Sequence, residues 1–176
     1  MPPRKSLQRD MVVKKYIEEN LKHLDQAYRK EADGKKATYY SKLAILELCG
    51  WIELSMDSLV LDHCARKVKL PSNVKLVETN VNKTYGFDYE QHFRKMLIHL
   101  IGIPACEQIE RTIDVAAKTK LEAQLSSLKK VRNGLAHTYI KGTPKANSID
   151  APSVTRARLV DIYDGLKAFQ KALNSL

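Results

Sequence analysis

Residues near the end of a predicted helix combine types that can act on a phosphodiester. They are Arg132, Asn133, His137 and Tyr139, within the stretch VRNGLAHTY at residues 131–139. At about 100° per residue, Asn133 and His137 lie one turn apart on the same face, whereas Arg132 must reach around the helix to them. Gly134 has no side chain, so another helix or a backbone phosphate can approach closely there.

These residue types suit RNA cleavage without a metal ion. Arg132 is a planar, permanent cation that can bind a phosphate through two N–H groups and stabilise a pentacoordinate transition state. His137 can take a proton from a ribose 2′-OH, or give one to the leaving 5′ oxygen, near neutral pH. Asn133 can orient the imidazole or bind a phosphate oxygen. The alternative interpretation is a helix C-terminus decorated with favourable cations.

The R-x4-H spacing is a weak signal by itself, because Arg94 and His99 share it. In that second occurrence the residue after the arginine is Lys95, and the residue two after the histidine is Ile101. An asparagine directly after the arginine and a tyrosine two after the histidine make a chance match far less expected at 132–139. We therefore interpret 132–139 as the functional motif and 94–99 as accidental.

The stretch RNGLAHTY resembles the R-x4-6-H motif of the HEPN superfamily, in its R-N-x-x-x-H form. The resemblance implies a small all-α bundle that dimerises and places both motifs in one composite cleft. Many such domains are metal-independent endoribonucleases of toxin–antitoxin, abortive-infection and other phage-defence systems. It therefore implies catalytic roles for Arg132, Asn133 and His137.

Tyr139 is similar to the tyrosine of the R-x4-H-x-Y variant, which occurs in HEPN toxins paired with a minimal nucleotidyltransferase antitoxin. In that variant the tyrosine can be modified by AMP transfer. A packed aromatic residue on the apolar stripe of its helix is the other interpretation of Tyr139.

Acidic residues of the long second helix are candidates for a supporting role. In several HEPN families a polar or acidic residue of this helix faces the motif, and Glu53 and Asp57, one turn apart among apolar residues, fit that description. Carboxylates in such a place need a partner, and Arg132 is a candidate. The alternative is that both carboxylates point to solvent at the edge of the bundle.

The charge balance is strongly basic, with 30 Lys and Arg against 20 Asp and Glu and a net charge of +10. Such a balance predicts a polyanionic partner, most commonly nucleic acid, although a lysine-rich solvated surface gives the same count. Beside the motif, Lys129, Lys130 and Lys141 are predicted to neutralise RNA phosphates, the alternative being an ordinary solvated helix face.

The length and composition favour one soluble helical domain over residues 1–176. A chain of 176 residues can bury roughly 70% of its unfolded surface. With 7 Gly and 6 Pro, it has few of the residues that the turns of an all-β protein need. Its 3 cysteines are widely spaced, which predicts free thiols in a cytoplasmic protein without cofactor or metal. No apolar segment is long enough to predict a membrane span.

Periodicity predicts an up-and-down bundle of five or six helices, HEPN-like in order. The predicted helices run from about residue 10 to 33, 37 to 68, 88 to 101, 104 to 114, 119 to 139 and 154 to 173. Capping boxes at Asp88 with Gln91 and at Thr119 with Glu122 mark two of the starts. Loops are predicted at about 70–87 and 140–152.

These features together predict a homodimeric, metal-independent endoribonuclease that is a toxin or phage-defence effector, with a possible antitoxin or defence-system partner. The alternative is a non-catalytic HEPN module that binds RNA, nucleotide or a partner protein. The test that separates them is whether His137→Ala abolishes toxicity while RNA affinity remains.

Overall fold

A computed structural model describes residues 13–136 and 149–176 of the chain. Within these ranges there are helices and no β-strand, so the predicted all-α class is confirmed. The elements are α1 (Lys15–Lys30), α2 (Gly34–Lys67), α3 (Pro71–Asn82), a π-helical turn (Tyr89–Phe93), α4 (Arg94–Thr112), α5 (Val115–Ala136) and α6 (Pro152–Asn174). None of the helices in the described ranges is long and apolar enough to cross a bilayer.

The long helix α2 is the axis of the fold, because all five other helices contact it. Asp33 caps its first turn, with Oδ1 accepting the backbone N–H groups of Lys35 at 2.8 Å and Lys36 at 3.3 Å. Leu48, Ile52 and Met56 are completely buried along its middle. Apolar residues surround much of this helix because neighbours cover it from several sides.

Helices α5 and α6 approach each other closely at a glycine. A Cβ atom on Gly165 of α6 would lie 2.5 Å from Cβ of Leu121 on α5, so no larger residue fits without movement. Further along α6, Phe169 packs edge-on against Phe93 of the π-helical turn, with ring centroids 5.2 Å apart. The contact at Gly165 packs α5, which carries Arg132 and Asn133 of the motif, against α6.

The prediction of a loop at residues 70–87 was wrong over Pro71–Asn82, which form helix α3. Pro71 occupies the first turn, where its missing N–H has no helical partner to lose. Val77 and Val81 are buried one turn apart. Thr79 and Asn80 between them are weak helix formers, and the helix gains its stability from packing on α2.

The start of α5 differs from the prediction as well. Asp114, not Thr119, caps the helix, since its Oδ1 accepts the N–H groups of Ala116 at 2.8 Å and Ala117 at 3.1 Å. The predicted gap between the helices that end near residue 101 and start near residue 104 corresponds to Gly102, whose φ of 77° and ψ of 165° interrupt α4 two residues before Pro104. A glycine tolerates this left-handed φ, which other residues rarely adopt.

Candidate functional site

An ion pair between α5 and α2 forms the centre of the candidate site. Nη2 of Arg132, near the end of α5, donates to Oε1 of Glu53 at 2.6 Å. The two side chains are 31% and 33% exposed, so the pair is open to solvent on one side. The contact that the sequence indicated between Glu53 and Arg132 is therefore present, whereas the supporting role of Glu53 stays a prediction.

Asn133, next to Arg132 in sequence, makes a weak contact with it. Its Oδ1 lies 3.4 Å from Nη1 of Arg132, which is long for a hydrogen bond, and the residue is exposed. The neighbouring apolar residues Val131 and Leu135 pack against the core from the other side of the helix. Val131 and Leu135 therefore pack this end of α5 against the core, while Arg132 and Asn133 remain accessible to a ligand.

Lys129 lies one turn before Arg132 on α5 and contacts the segment that leads into the π-helical turn. Its Nζ donates to Oδ2 of Asp88 at 3.0 Å and to Oε1 of Gln91 at 2.7 Å. Burial raises the pKa of Asp88, but the N–H of Gln91 and the Lys129 ammonium outweigh it, so the pKa falls below its ordinary value. The ammonium of Lys129 is thus already paired, whereas Lys130 is exposed.

An aromatic ring supports the guanidinium of Arg132. Cζ of Arg132 lies 5.8 Å from the ring centroid of Phe87, within the range of a cation–π interaction. Phe87 is 2% exposed and precedes Asp88 directly. Sequence analysis missed this residue, because nothing in a loop prediction for 70–87 brings Phe87 to a motif more than forty residues later.

His92 is a second residue that the sequence did not place at the site. Its Nδ1 accepts the backbone N–H of Asp88 at 3.1 Å, so the neutral ring carries its proton on Nε2. Burial lowers the pKa of His92, with Lys129 and Lys95 acting in the same direction and Asp88 and Glu53 opposing it. The predicted capping box is therefore half present, since Asp88 accepts from Gln91 N at 2.9 Å but His92 takes the reciprocal role.

A buried thiol lies near the ion pair. Burial raises the pKa of Cys49 to about 12, while the charge of Arg132 opposes the rise and that of Glu53 adds to it. Cys49 is one turn before Glu53 on α2 and 3% exposed. It stays a neutral thiol at physiological pH, which excludes a thiolate nucleophile at this position.

The remaining predicted site residues divide into two groups. Asp57 is half-buried one turn beyond Glu53 on α2, and its supporting role stays a prediction. The other group lies outside the described residues and consists of His137, Tyr139 and Lys141.

The second R-x4-H occurrence has a structural explanation. Arg94 donates to both carboxylate oxygens of Glu110, at 2.7 and 3.2 Å, and Glu110 also accepts the hydroxyl of Tyr89 at 2.6 Å. His99 is exposed, with Nδ1 3.1 Å from the carbonyl oxygen of Lys95. Arg94 is thus committed to a part-buried network that joins the π-helical turn to α4.

The arrangement around Arg132 is suited to bind an anion. A guanidinium has five N–H donors, more than its contacts with Glu53 and Asn133 use. A phosphate oxygen, like the carboxylate oxygen that Arg132 now binds, is an anionic acceptor for guanidinium N–H groups. Within residues 13–136 and 149–176, no group of three or more His, Cys, Asp or Glu residues could hold a metal ion.

Comparisons of the chain with family models, with curated proteins and with solved structures find no match.

Proposed function

We propose that this chain is a metal-independent endoribonuclease of the HEPN type, built as an up-and-down helical bundle. The observation that carries the proposal is the ion pair of Arg132 and Glu53, whose side chains are each about one-third exposed. The pair joins Arg132 of the motif to Glu53, one of the two acidic residues of α2 to which the resemblance points. The net charge of +10 adds to it, because a basic protein attracts RNA over long range.

In the proposed reaction the ribose 2′ oxygen attacks the adjacent phosphorus, and the bond from phosphorus to the 5′ oxygen breaks. His137 takes the proton of the 2′-OH, and an imidazolium gives a proton to the departing 5′ oxygen. Arg132 stabilises the extra negative charge on the phosphorane oxygens. The products are a 2′,3′-cyclic phosphate and a 5′-OH, and no metal ion takes part.

We also propose that the active form is a homodimer with two motifs facing one cleft, because two histidines, one from each chain, fill the acid and base roles more easily than a single histidine does. Gly134 supports this arrangement, since it is exposed and a Cβ atom placed there would meet nothing within 4 Å. A partner chain could approach α5 closely at this residue. Toxin or phage-defence activity, with an antitoxin or defence-system partner, follows as part of the same proposal.

The direct test is to incubate the full chain with structured RNA in the presence of EDTA and to analyse the ends of the products. We expect cyclic-phosphate ends from the wild type and a loss of cleavage in Arg132→Ala and His137→Ala. Arg111→Ala is the matched control, because Arg111 is exposed on α4 and pairs with Glu107. Cleavage that survives Arg132→Ala, or a wild type that never cuts RNA, contradicts the proposal. RNA binding without cleavage favours the non-catalytic module instead.

A further inference from the structure

The guanidinium of Arg132 is held from two sides by different parts of the chain. Glu53 of α2 binds Nη2 at 2.6 Å, and the ring of Phe87 lies 5.8 Å from Cζ. A carboxylate fixes one edge of a guanidinium, whereas an aromatic face restricts the plane in which it lies. Phe87 therefore contributes a constraint that the ion pair does not.

The segment that carries Phe87 is itself fixed by three hydrogen bonds at Asp88. The Asp88 backbone N–H donates to Nδ1 of His92, Oδ1 accepts the N–H of Gln91, and Oδ2 accepts Nζ of Lys129. The distances are 3.1, 2.9 and 3.0 Å, all within the usual range. Since Phe87 precedes Asp88 directly, its backbone has little freedom.

The other neighbour of Phe87 is a glycine in a conformation that other residues avoid. Gly86 has φ +127°, and a Cβ atom there would lie 2.8 Å from Cε1 and 2.9 Å from Nε2 of His92. The backbone thus passes directly against the imidazole, which requires a glycine. His92 contacts both neighbours of Phe87, because it packs against Gly86 and accepts the N–H of Asp88.

Helix α5 contacts the segment from Phe87 to Gln91 through two residues, which lie one helical turn apart on α5. Lys129 reaches Asp88 and Gln91, and Arg132 reaches Phe87. The segment from Phe87 to Gln91 is therefore tied to the helix that carries Arg132.

We infer that Phe87 is a positioning residue of the Arg132 site, and that Gly86, Asp88 and His92 form the support that holds its ring in place. The role of Phe87 in RNA recognition rests on the proposed function, but its effect on the Arg132 side chain does not. The aromatic ring orients the guanidinium for a backbone phosphate of single-stranded RNA, and Glu53 occupies the position of that phosphate when RNA is absent.

The first test needs no RNA. The Nε–H signal of Arg132 in a 15N NMR spectrum of the full chain is assigned by its loss in Arg132→Lys. Phe87→Met keeps an apolar side chain but lacks the ring, so we expect this signal to shift and broaden, whereas Phe87→Tyr restores it. Phe93→Leu is the matched control, because Phe93 is equally buried and packs on Phe169. An unchanged Arg132 signal in Phe87→Met overturns the inference.

If Phe87→Met does not fold, Asp88→Asn provides the same test. Asparagine keeps the oxygen that caps the π-helical turn and removes the charge that binds Lys129. Loss of the Lys129–Asp88 ion pair frees the segment that carries Phe87 from α5, so the Arg132 signal should shift. An unchanged signal again overturns the inference.

The second test measures the affinity for a single-stranded RNA oligonucleotide by fluorescence anisotropy. We expect Phe87→Met to weaken binding roughly twofold to fivefold, and to cause no further loss in an Arg132→Ala background. Equal losses in both backgrounds contradict a role through Arg132. If the wild type binds no RNA, the proposed function fails, while the NMR result still decides the role of Phe87.

Discussion

Glu53 on α2 and Arg132 on α5 are 79 residues apart in sequence, and their side chains meet at 2.6 Å. The contact lies where α2, the longest helix of the described ranges, passes the end of α5, the helix that carries Arg132 and Asn133. Because both side chains remain about one-third exposed, the pair can open without disturbing the core. An anion can therefore replace the carboxylate at little cost in stability.

The first prediction concerns Glu53→Gln. The substitution removes a negative charge that competes with phosphate, so RNA affinity should rise several-fold, while cleavage falls because Arg132 is less well oriented. The free energy of unfolding should drop by less than about 1 kcal/mol, as for other exposed pairs. Anisotropy, end-point cleavage and urea titration measure the three effects. Glu47→Gln, on the exposed face of the same helix, is the control. Weaker RNA binding in Glu53→Gln would show that the carboxylate does not compete.

A second prediction uses two helical glycines. Gly165→Ala places a methyl group 2.5 Å from Cβ of Leu121 and should destabilise the protein by about 1–3 kcal/mol. Gly50→Ala, in the middle of α2, meets nothing within 4 Å and should raise stability by up to about 1 kcal/mol. Urea unfolding of both variants measures the contrast. Equal effects would mean that α5 and α6 are not packed as described.

The third prediction concerns acid sensitivity through His63, which is 4% exposed near the end of α2. Burial lowers its pKa below the ordinary value of 6.5, with Arg66 and Lys67 acting in the same direction and a hydrogen bond to the backbone of Leu173 opposing. Between the two pKa values the unfolded chain binds more protons than the folded one. The contribution of the neutral His63 to the free energy of unfolding is therefore fully present above pH 6.5, and it is lost as the pH falls through the folded-state pKa.

Replacing this histidine should flatten the pH dependence. His63→Leu should lose less unfolding free energy than the wild type between pH 7.5 and pH 5.5, as measured by urea titration at each pH. His99→Leu, at an exposed position on α4, should behave like the wild type. An unchanged pH dependence in His63→Leu would assign the acid sensitivity to other groups.

A fourth prediction concerns Glu110, whose carboxylate binds Arg94 and Tyr89. The pKa of Glu110 is lowered chiefly by Arg94, with burial opposing and the Tyr89 hydroxyl assisting. Its contribution to stability is thus present above its ordinary value of 4.5 and is lost as the pH falls through the lowered pKa. Glu110→Gln should therefore reduce stability at pH 7 and lose less than the wild type on acidification to pH 3. Equal losses of unfolding free energy in Glu110→Gln and in the wild type would contradict this prediction.

Strong periodic patterns were enough to predict the all-α class and most of the helices. The predicted helix at about residues 37–68 corresponds to α2, and the predicted gap between residues 101 and 104 corresponds to the break in α4, because each signal is local. Helix α3 was missed because its own sequence is a weak helix former and Val77 and Val81 gain from packing on α2. Packing against α2, and not the local sequence, therefore stabilises the helix over Pro71–Asn82.

The site follows the same division between local and distant information. The motif predicted a functional role for Arg132, and the resemblance indicated Glu53 and Asp57 as its acidic neighbours. Phe87 and His92 could not be predicted, because their roles depend on how a turn between two helices folds back onto α5. The capping box at Asp88 was the one local signal there, and the residue that completes it proved to be His92 instead of Gln91.

The central position of α2 has a consequence for the order in which the protein opens. A helix that touches every other helix can lose its hydrogen bonds only after its neighbours have separated from it. Backbone amides around Leu48, Ile52 and Met56 should therefore exchange with deuterium most slowly, at a rate set by global unfolding. Amides of α3, which is covered on one side, should exchange through a smaller opening. The Glu53 end of the site would then belong to the last part of the molecule to open.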